Sequence, residues 1–367
     1  MNIECFNVYK LNPTRDIFYA MSHGVNRAVL KEGSEGDRLS FLDKLIKKGY
    51  LVHGVKRRSS SANTERLDHI FDSINFKSKN FYIHYGDVTD SSNTLSLIHK
   101  IRPDEIYNLA AQSHVSVSFT NPIFTTQIGT LGSISILEAI RHLDKDVKFY
   151  QASSSEMFGG SSKELLNEQS LFDAKSPYGA SKVFAHEITK IYRESYDLFG
   201  VNGILFNHES PMRGETFVTR KITKAVGRVH VGIQERLTLG NLDASRDWGY
   251  AKDYVKGMWQ ILQAEKPDNY VLATGTNETI RNFAVLAFKT ADMEIKFEGE
   301  KENEVGIDIK TGNPVIRIDK KYYRPAEVDT LLGNPKKAND ELNWKATTSL
   351  EELAKIMVEY DLKSLET

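Results

Sequence analysis

The sequence is almost without cysteine: Cys5 is the only one among 367 residues. A single cysteine excludes an internal disulfide, and it also excludes a metal site built from clustered cysteines. Disulfides are rare in the reducing cytosol, so a chain that cannot form one internally suits that compartment. We therefore expect a cytoplasmic protein without a structural metal.

An excess of charge of either sign is also lacking. The 48 lysines and arginines face 49 aspartates and glutamates, and the formal net charge is −1. A general nucleic-acid binder would be strongly basic. We find no apolar run long enough to span a bilayer, and residues 1–25 are interrupted by Pro13, Arg15 and Asp16, so they lack the apolar core of a signal peptide. We expect neither nucleic acid nor a membrane as a partner.

What the sequence does contain is an alternation of strand-like and helix-like segments. Short runs rich in β-branched and aromatic residues predict strands at 50–55, 81–86, 105–110, 147–153 and 203–208. Segments with helical periodicity lie between them, at 41–49, 93–101, 129–143 and 178–200. This alternation predicts an α/β protein with a Rossmann-like, doubly wound parallel sheet. In such sheets the ligand binds beyond the carboxyl ends of the strands.

Three parts are predicted along the chain. Residues 1–26 form an atypical N-terminal extension, residues 27–210 a Rossmann domain that binds the cofactor, and residues 211–367 a smaller, mostly helical region for the substrate. We expect some exchange of segments between the last two parts.

The stretch SPYGASK (176–182) carries the first candidate for chemistry. Ser176 suits a helix N-cap and Pro177 the first helical position, so Tyr178 and Lys182 fall four apart on one helix face. A cation beside a phenol favours the phenolate, which lowers the usual tyrosine pKa of about 10 and makes a general base or acid. An isolated pair at this spacing is more often a surface pair. The pair of Tyr178 and Lys182 lies on the helix that follows the fifth predicted strand, and this position favours a catalytic site.

The stretch QASSSEMFG (151–159) follows a predicted strand directly. Ser154 could hydrogen-bond a substrate hydroxyl, and Glu156 could move a proton. The alternative is helix capping, because serine followed by glutamate also makes a capping box. Taken with Tyr178 and Lys182, a catalytic site is the better interpretation.

Basic and small residues after other strands suggest a dinucleotide cofactor. Arg57 and Arg58 in KRRSSS (56–61) stand where an NAD site places a carboxylate, and guanidinium groups suit the 2′-phosphate of NADP. A solvated basic loop is the alternative. Asp87 could bind the adenine amino group, and small residues after the fourth strand let the cofactor pass closely. The cofactor contacts predicted from 85–90 and 108–115 are Asp87, Val88, Leu109, Ala110, Ala111, Gln112 and Ser113.

The sequence resembles the GDP-mannose 4,6-dehydratases, a family of extended short-chain dehydrogenase/reductases. The resemblance runs from about Leu45 to the C-terminus and is carried by stretches such as YNLAAQSHVSVSF, SPYGASK, FNHESPMRGETFVTRKIT and YYRPAEVDTLLGNPKKA. The third of these stretches is long and specific to the family rather than to the superfamily.

The resemblance implies a lyase that converts GDP-α-D-mannose to GDP-4-dehydro-6-deoxy-D-mannose and water through an internal hydride cycle on NADP. It implies that Tyr178 takes the proton from the sugar O4, that Lys182 lowers the pKa of Tyr178 and holds the nicotinamide ribose, and that Glu156 removes the C5 proton. Ser154 stands where the family usually has threonine. The other matching positions are His208 and Arg213 near the cofactor, and Asn207, Lys221, Arg246 and Arg324 around the GDP moiety. Phe124 stands where the family has a tyrosine on the cofactor side.

The resemblance also implies a homodimer or homotetramer, and a product used for deoxyhexoses such as GDP-fucose. Two alternatives stay open. One is another nucleotide-sugar dehydratase or an epimerase, although simple C4 epimerisation needs no C5 base such as Glu156. The other is a diverged, non-catalytic paralogue that serves as a binding or regulatory partner.

The stretch VLKEGSEGDR (29–38) departs from the family. Gly33 and Gly36 take the first two glycine positions of the cofactor loop, but Leu39 falls on the third, and Glu32 and Glu35 would face the pyrophosphate. Three interpretations are open: a rebuilt loop that still binds, an N-terminal segment that comes from a frameshift or a misassigned start, or a paralogue that binds NADP poorly.

Overall fold

The computed structural model describes residues 45, 48–57, 81–160, 165–323 and 330–366, and the backbone of residues 7–9 and 16–19. Among the residues selected from the sequence, Gly33, Gly36, Arg58 and Arg324 lie outside this described part. The three interpretations of the stretch 29–38 and the division of the chain into three parts therefore stay predictions.

A central sheet of eight strands organises the described residues. Its strands are β1 (Asn7–Tyr9), β2 (Asp16–Tyr19), β3 (Leu51–Lys56), β4 (Phe81–Tyr85), β5 (Glu105–Asn108), β6 (Lys148–Ser154), β7 (Phe199–Leu205) and β12 (Asn269–Leu272). The parallel strands follow the spatial order β4, β3, β2, β5, β6, β7, β12, and β1 pairs antiparallel with β3 and β5. The chain thus winds outwards from the centre in both directions. This order confirms the predicted doubly wound α/β fold.

Helices cover both faces of this sheet. They are α1 (Ser91–Ile101), α2 (Val115–Thr120), α3 (Pro122–Gly129), α4 (Leu131–Arg141), α5 (Pro177–Tyr196) and α7 (Ala251–Leu262). Phe149 and Tyr150 are neighbours in β6, so their side chains point to opposite faces, and both are buried. A strand buried on both faces carries apolar residues at successive positions, and the pair Phe149 and Tyr150 shows this within 147–153.

The stretch Pro122–Arg141 corrects the expectation that no apolar run is long enough to span a bilayer. By length and composition it could cross a membrane, with a mean hydropathy of 1.3. However, 56% of it is buried inside the protein, and it is divided into α3 and α4 at Thr130. Its apolar residues are therefore used in packing, as is usual for core helices of this fold.

The chain after β7 builds a second core. Its remaining strands are β8 (Asn207–Glu209), β9 (Leu237–Leu239), β10 (Ser245–Arg246), β11 (Trp248–Tyr250), β13 (Glu278–Thr279), β14 (Ile295–Glu298), β15 (Val305–Asp308), β16 (Pro314–Ile318) and β17 (Thr330–Leu331). Its remaining helices are α6 (Val218–His230), α8 (Ile280–Thr290), α9 (Lys336–Leu342) and α10 (Leu350–Lys363). Apolar residues of α6, α8 and α10 pack together with β9 and β16. The chain returns to the central sheet through α7 and β12.

Candidate active site

A cavity of about 820 Å³ opens beyond the carboxyl ends of β6 and β7. This is the edge at which a parallel sheet of this type binds its ligands. The sequence-selected residues that line it are Leu109, Ser113, Ser154, Glu156, Tyr178, Lys182, Asn207, His208, Arg213, Lys221 and Arg246. The structure therefore brings the predicted catalytic residues together with most of the predicted substrate residues.

Ser154 combines the two roles considered from the sequence. It is the last residue of β6, and its Oγ accepts a hydrogen bond of 3.3 Å from the Glu156 backbone N–H, which caps a short 3₁₀ turn. Its hydroxyl also hydrogen-bonds the Tyr178 side chain. Capping and a place in the site are thus compatible, because the turn that Ser154 caps carries Glu156 into the cavity.

Helix α5 places Tyr178 and Lys182 as the sequence predicts. The Ser176 side chain accepts a hydrogen bond of 3.0 Å from the Gly179 N–H, and Pro177 occupies the first turn. The Lys182 ammonium donates to the Ala152 carbonyl at 2.7 Å and lies 5.8 Å from the centre of the Tyr178 ring. Both side chains are buried, with 9% and 3% exposure for Tyr178 and Lys182.

The expectation that the pKa of Tyr178 is lowered towards neutral is wrong for this structure. Burial raises the pKa of Tyr178 to about 12, and the charge of Glu156 adds to the rise, while the hydrogen bond to Ser154 and the charge of Arg213 lower it. The effect of burial on the pKa dominates because the phenolate would lose its hydration. The Lys182 ammonium is directed instead at a backbone carbonyl of β6. At neutral pH Tyr178 is therefore a protonated phenol.

His208 is a neutral imidazole whose tautomer follows from its contacts. Its Nδ1 lies 2.9 Å from the Phe206 carbonyl, which can only accept, so Nδ1 carries the hydrogen. Burial, followed by the charge of Arg213, lowers the pKa of His208 to about 4. The ring stacks on Tyr254 at 5.0 Å between centroids. His208 therefore offers Nε2 as an acceptor at neutral pH.

Cationic side chains from the C-terminal half of the chain also line the cavity: Lys221, Arg246 and Lys321. Arg246 is buried and donates to the Ser245 carbonyl at 2.7 Å. The Lys221 ammonium lies 3.5 Å from the centre of the Tyr322 ring. Burial, followed by the charge of Lys321, lowers the pKa of Lys221 to about 8, whereas Asp319 raises it. A cavity with these cations suits an anionic ligand such as a diphosphate.

A second group of predicted cofactor residues lies outside the cavity lining. The Arg57 guanidinium carbon is 5.7 Å from the centre of the Phe124 ring, and its Nη1 is 3.9 Å from Asp87 Oδ2. Asp87 Oδ1 also accepts from the Thr89 N–H at 2.9 Å. The other predicted cofactor residues of this group are buried: Val88, Ala110, Ala111 and Gln112. Of these, Val88 and Ala110 share an apolar cluster with Phe124.

The comparisons with known proteins agree with this site. The sequence model of the family described as GDP-mannose 4,6 dehydratase matches residues 36–357. GDP-mannose 4,6-dehydratase from Sinorhizobium fredii (strain HH103) is 49% identical over 335 residues, which cover 91% of this chain and 95% of that relative. The chain belongs to the GDP-mannose 4,6-dehydratase family.

Solved structures resemble the fold of this family member. UDP-glucose 4-epimerase from Thermotoga maritima, solved with UDP-glucose, has a TM-score of 0.72 and 23% identity, and the match covers 89% of this chain and 95% of that one. The protein RMD from Pseudomonas aeruginosa, solved with NADPH, has a TM-score of 0.66 and 20% identity, covering 81% and 95%. These likenesses concern the extended Rossmann-type fold.

Lys321, Tyr322 and Glu209 are among the cavity residues of this family member that were not predicted from the sequence. Tyr322 is the first residue of the stretch YYRPAEVDTLLGNPKKA, which carried the family resemblance, and Lys321 directly precedes that stretch, so the stretch was a signal for both. Glu209 lies inside the long stretch FNHESPMRGETFVTRKIT, next to His208. A buried glutamate at the end of a strand gives no local pattern that separates it from an exposed one.

We predict that Gly179→Ala lowers kcat roughly ten-fold. A Cβ at this position would lie 2.6 Å from the Glu156 carbonyl oxygen, a backbone atom, so helix α5 must move away from the turn. Misplacement on the order of 1 Å at a reacting group costs up to about a hundred-fold in rate. The measurement is kcat with GDP-mannose, with Ala180→Gly on the same helix, at an exposed position, as the control. A Gly179→Ala enzyme with unchanged kcat would contradict the close packing of α5 on this turn.

Proposed function

We propose that this chain is a GDP-mannose 4,6-dehydratase, a hydro-lyase that converts GDP-α-D-mannose to GDP-4-dehydro-6-deoxy-D-mannose and water. The observation that carries the proposal is the meeting of Ser154, Tyr178 and Glu156 in one cavity. Dehydration needs a proton acceptor for the C4 hydroxyl and a second one for C5, and these side chains supply both. The family membership supports GDP-mannose as the substrate.

The side chains have separate tasks in this chemistry. Tyr178 is placed to accept the proton of the sugar O4, with Ser154 bonded to its hydroxyl. Because burial keeps Tyr178 a protonated phenol in the ligand-free protein, it would act as this base only once the positive charge of a bound oxidised nicotinamide favours the phenolate. Glu156 then removes the C5 proton, which the new C4 carbonyl acidifies, and passes it to the C6 hydroxyl, which leaves as water. The proton taken up by Tyr178 is released to solvent, and a solvent proton completes C5. A bound oxidised nicotinamide would supply a cationic, reversible hydride acceptor, which would take a hydride from C4 and return it to C6. Because the cycle closes, no external reductant is needed.

The described residues fit a dinucleotide. Ser113 lines the cavity, and its Oγ is buried without a hydrogen-bond partner among the described residues, so it has hydrogen-bonding capacity left for a ligand. The small buried residues Ala110 and Ala111 lie beside it. We assign Lys182 and His208 to the nicotinamide end, and Arg57 beside Phe124 to the 2′-phosphate of NADP.

Cofactor content tests this assignment. The purified protein is denatured, and released NADP(H) and NAD(H) are separated by chromatography and quantified by absorbance. Near-stoichiometric NADP(H), with little NAD(H), is the expected result. If no nicotinamide is released and added NADP gives no thermal stabilisation, the non-catalytic alternative is favoured, and the next step is to replace the stretch 29–38 with the glycine loop usual in the family.

Binding of GDP is predicted to weaken as pH rises. Lys221, whose pKa is lowered to about 8, is charged below that pH and loses its proton above it, so its attraction for a diphosphate is lost on the alkaline side. A charged hydrogen bond of this kind changes the dissociation constant roughly ten-fold. The measurement is calorimetric binding of GDP from about pH 7 to about pH 10.

The matched control for that titration is Lys221→Arg. Arginine stays protonated throughout this range, so the variant is expected to show a flat profile. A wild-type dissociation constant that does not change with pH, or an equally steep profile in the arginine variant, would contradict a role for Lys221 in binding the diphosphate.

A homodimer or homotetramer is supported by apolar side chains on the surface. Phe184 and Ile191 lie seven residues apart on α5 with 38% and 47% exposure. Ile123 on α3 and Leu131 on α4 are 74% and 40% exposed, and both helices pack against α5. Light scattering of the purified protein should give two or four times the 41.6 kDa of the chain. A monomer at micromolar concentration would overturn this part of the proposal.

We also propose a cytoplasmic location, which the single cysteine supports. The product would there be available for deoxyhexose synthesis such as that of GDP-fucose. Microscopy of a fluorescent fusion tests the location, and a signal confined to a membrane or to another compartment would overturn it.

A further inference from the structure

Glu209 is a carboxylate buried beside the cavity. It is the last residue of β8, is 1% exposed, and its backbone is fixed by pairing with Tyr250 of β11. Burial raises the pKa of Glu209, while Arg213 and Thr219 lower it. A carboxylate at this depth is tolerated only with partners, because an unpaired buried charge is strongly destabilising.

Its partners come from two different segments. Glu209 Oε2 accepts a hydrogen bond of 2.6 Å from the Thr219 hydroxyl and lies 3.2 Å from Arg213 Nε. Thr219 is fully buried in the first turn of α6, and Arg213 lies in the loop that leads into this helix. One carboxylate oxygen therefore joins the loop and the helix.

The first turn of α6 is also held from α10, where Asp361 pairs with the buried Arg220. Phe217, the residue before the helix, gives no side-chain cap. A carboxylate near a helix N-terminus also interacts favourably with the helix dipole. Lys221 follows Thr219 by two residues and lines the cavity, so the position of its side chain depends on this turn.

Arg213 is held in a similar way. Its guanidinium carbon lies 3.7 Å from the centre of the Phe217 ring, and the Glu209 carboxylate contacts its Nε edge. The ring limits movement across the guanidinium plane, and the carboxylate limits rotation within it. Arg213 and Lys221 are thus positioned by the same buried group.

We propose that Glu209 is a positioning residue, which holds Arg213 and the first turn of α6 so that Arg213 and Lys221 line the cavity for an anionic ligand. It contributes no proton to the reaction. The part of the inference that concerns the ligand rests on the proposed function, whereas the part that concerns α6 does not.

Two variants separate the two contacts. Thr219→Val removes the hydroxyl and leaves the pair between Glu209 and Arg213. Glu209→Gln removes the charge at nearly constant volume. Glu105→Gln is the matched control, because Glu105 is equally buried but lies at the start of β5, at the opposite end of the strands, where it bonds Tyr107 and Gln263.

The first measurement is amide hydrogen exchange of residues 218–222 in the protein without ligand, followed by mass spectrometry. Thr219→Val is expected to speed exchange there roughly five- to ten-fold, and Glu105→Gln to leave it unchanged. Unchanged exchange in both Thr219→Val and Glu209→Gln would overturn the inference, whatever the protein binds.

The second measurement is the dissociation constant of GDP. Positioning predicts that Glu209→Gln binds GDP roughly ten-fold more weakly. A purely electrostatic role predicts the opposite, because the variant removes a negative charge beside an anion site, so tighter binding would overturn the inference. If the wild-type protein binds no GDP, the proposed function fails, and hydrogen exchange alone decides the inference.

Discussion

Tyr178→Phe is expected to lower kcat for GDP-mannose by about 10³-fold, with little change in KM. The substitution keeps the buried ring and removes only the hydroxyl that bonds Ser154 and that we propose as the acceptor of the O4 proton. General acid–base groups typically contribute 10²- to 10⁴-fold. The measurement is steady-state product formation followed by mass spectrometry.

Tyr150→Phe is the matched control for this substitution. Tyr150 lies in β6, is completely buried, and its hydroxyl has no hydrogen-bond partner among the described residues. Removing that hydroxyl is therefore expected to leave kcat within about two-fold. Equal losses in both variants would mean that the Tyr178 hydroxyl has no special role, and a Tyr178→Phe enzyme with nearly full activity would exclude it as the O4 base.

Glu156→Gln is the second substitution with a large expected effect. The amide cannot remove the C5 proton, so we expect loss of water to slow by about 10³-fold. In deuterated water the wild-type product should carry one deuterium at C5, because the proton that returns there comes from Glu156 or from solvent. The variant should leave GDP-mannose without this exchange at C5. Nuclear magnetic resonance of the recovered nucleotide sugar measures both.

The control for this substitution is Glu168→Gln. The Glu168 carboxylate accepts a hydrogen bond from the Val271 N–H, and a glutamine oxygen can replace it. Its activity is expected to match that of the wild type. If Glu156→Gln also dehydrates GDP-mannose at the wild-type rate, another group removes the C5 proton and the assignment is wrong.

Much of the central sheet could be predicted from the sequence, because its strands are short runs rich in β-branched and aromatic residues. The strand predicted at 147–153 is β6, and that at 105–110 begins with β5. The helix predicted at 178–200 ends earlier, at Tyr196, because Asp197 adopts a left-handed conformation with φ of 55° and the next strand begins at Phe199. Such a cap depends on tertiary packing as much as on local preference.

The meeting of Ser154, Glu156 and Tyr178 was also predictable, since the carboxyl ends of neighbouring parallel strands converge at one edge. The pKa of Tyr178 was not, because it is set mainly by burial, which the sequence does not give. The same holds for Lys221 and Tyr322, which are 101 residues apart and meet only after the C-terminal part has folded. Spacing along the chain gives no sign of such a contact.

The most direct test of the internal hydride cycle uses GDP-mannose that carries deuterium at C4 of the sugar. The purified protein is incubated with it in ordinary water, and the product is analysed by mass spectrometry and nuclear magnetic resonance. We predict a product that has lost one water and carries the deuterium at C6, transferred within the same molecule. A nucleotide sugar of unchanged mass with altered stereochemistry at C4 would indicate an epimerase, and a dehydrated product without deuterium at C6 would contradict the internal transfer.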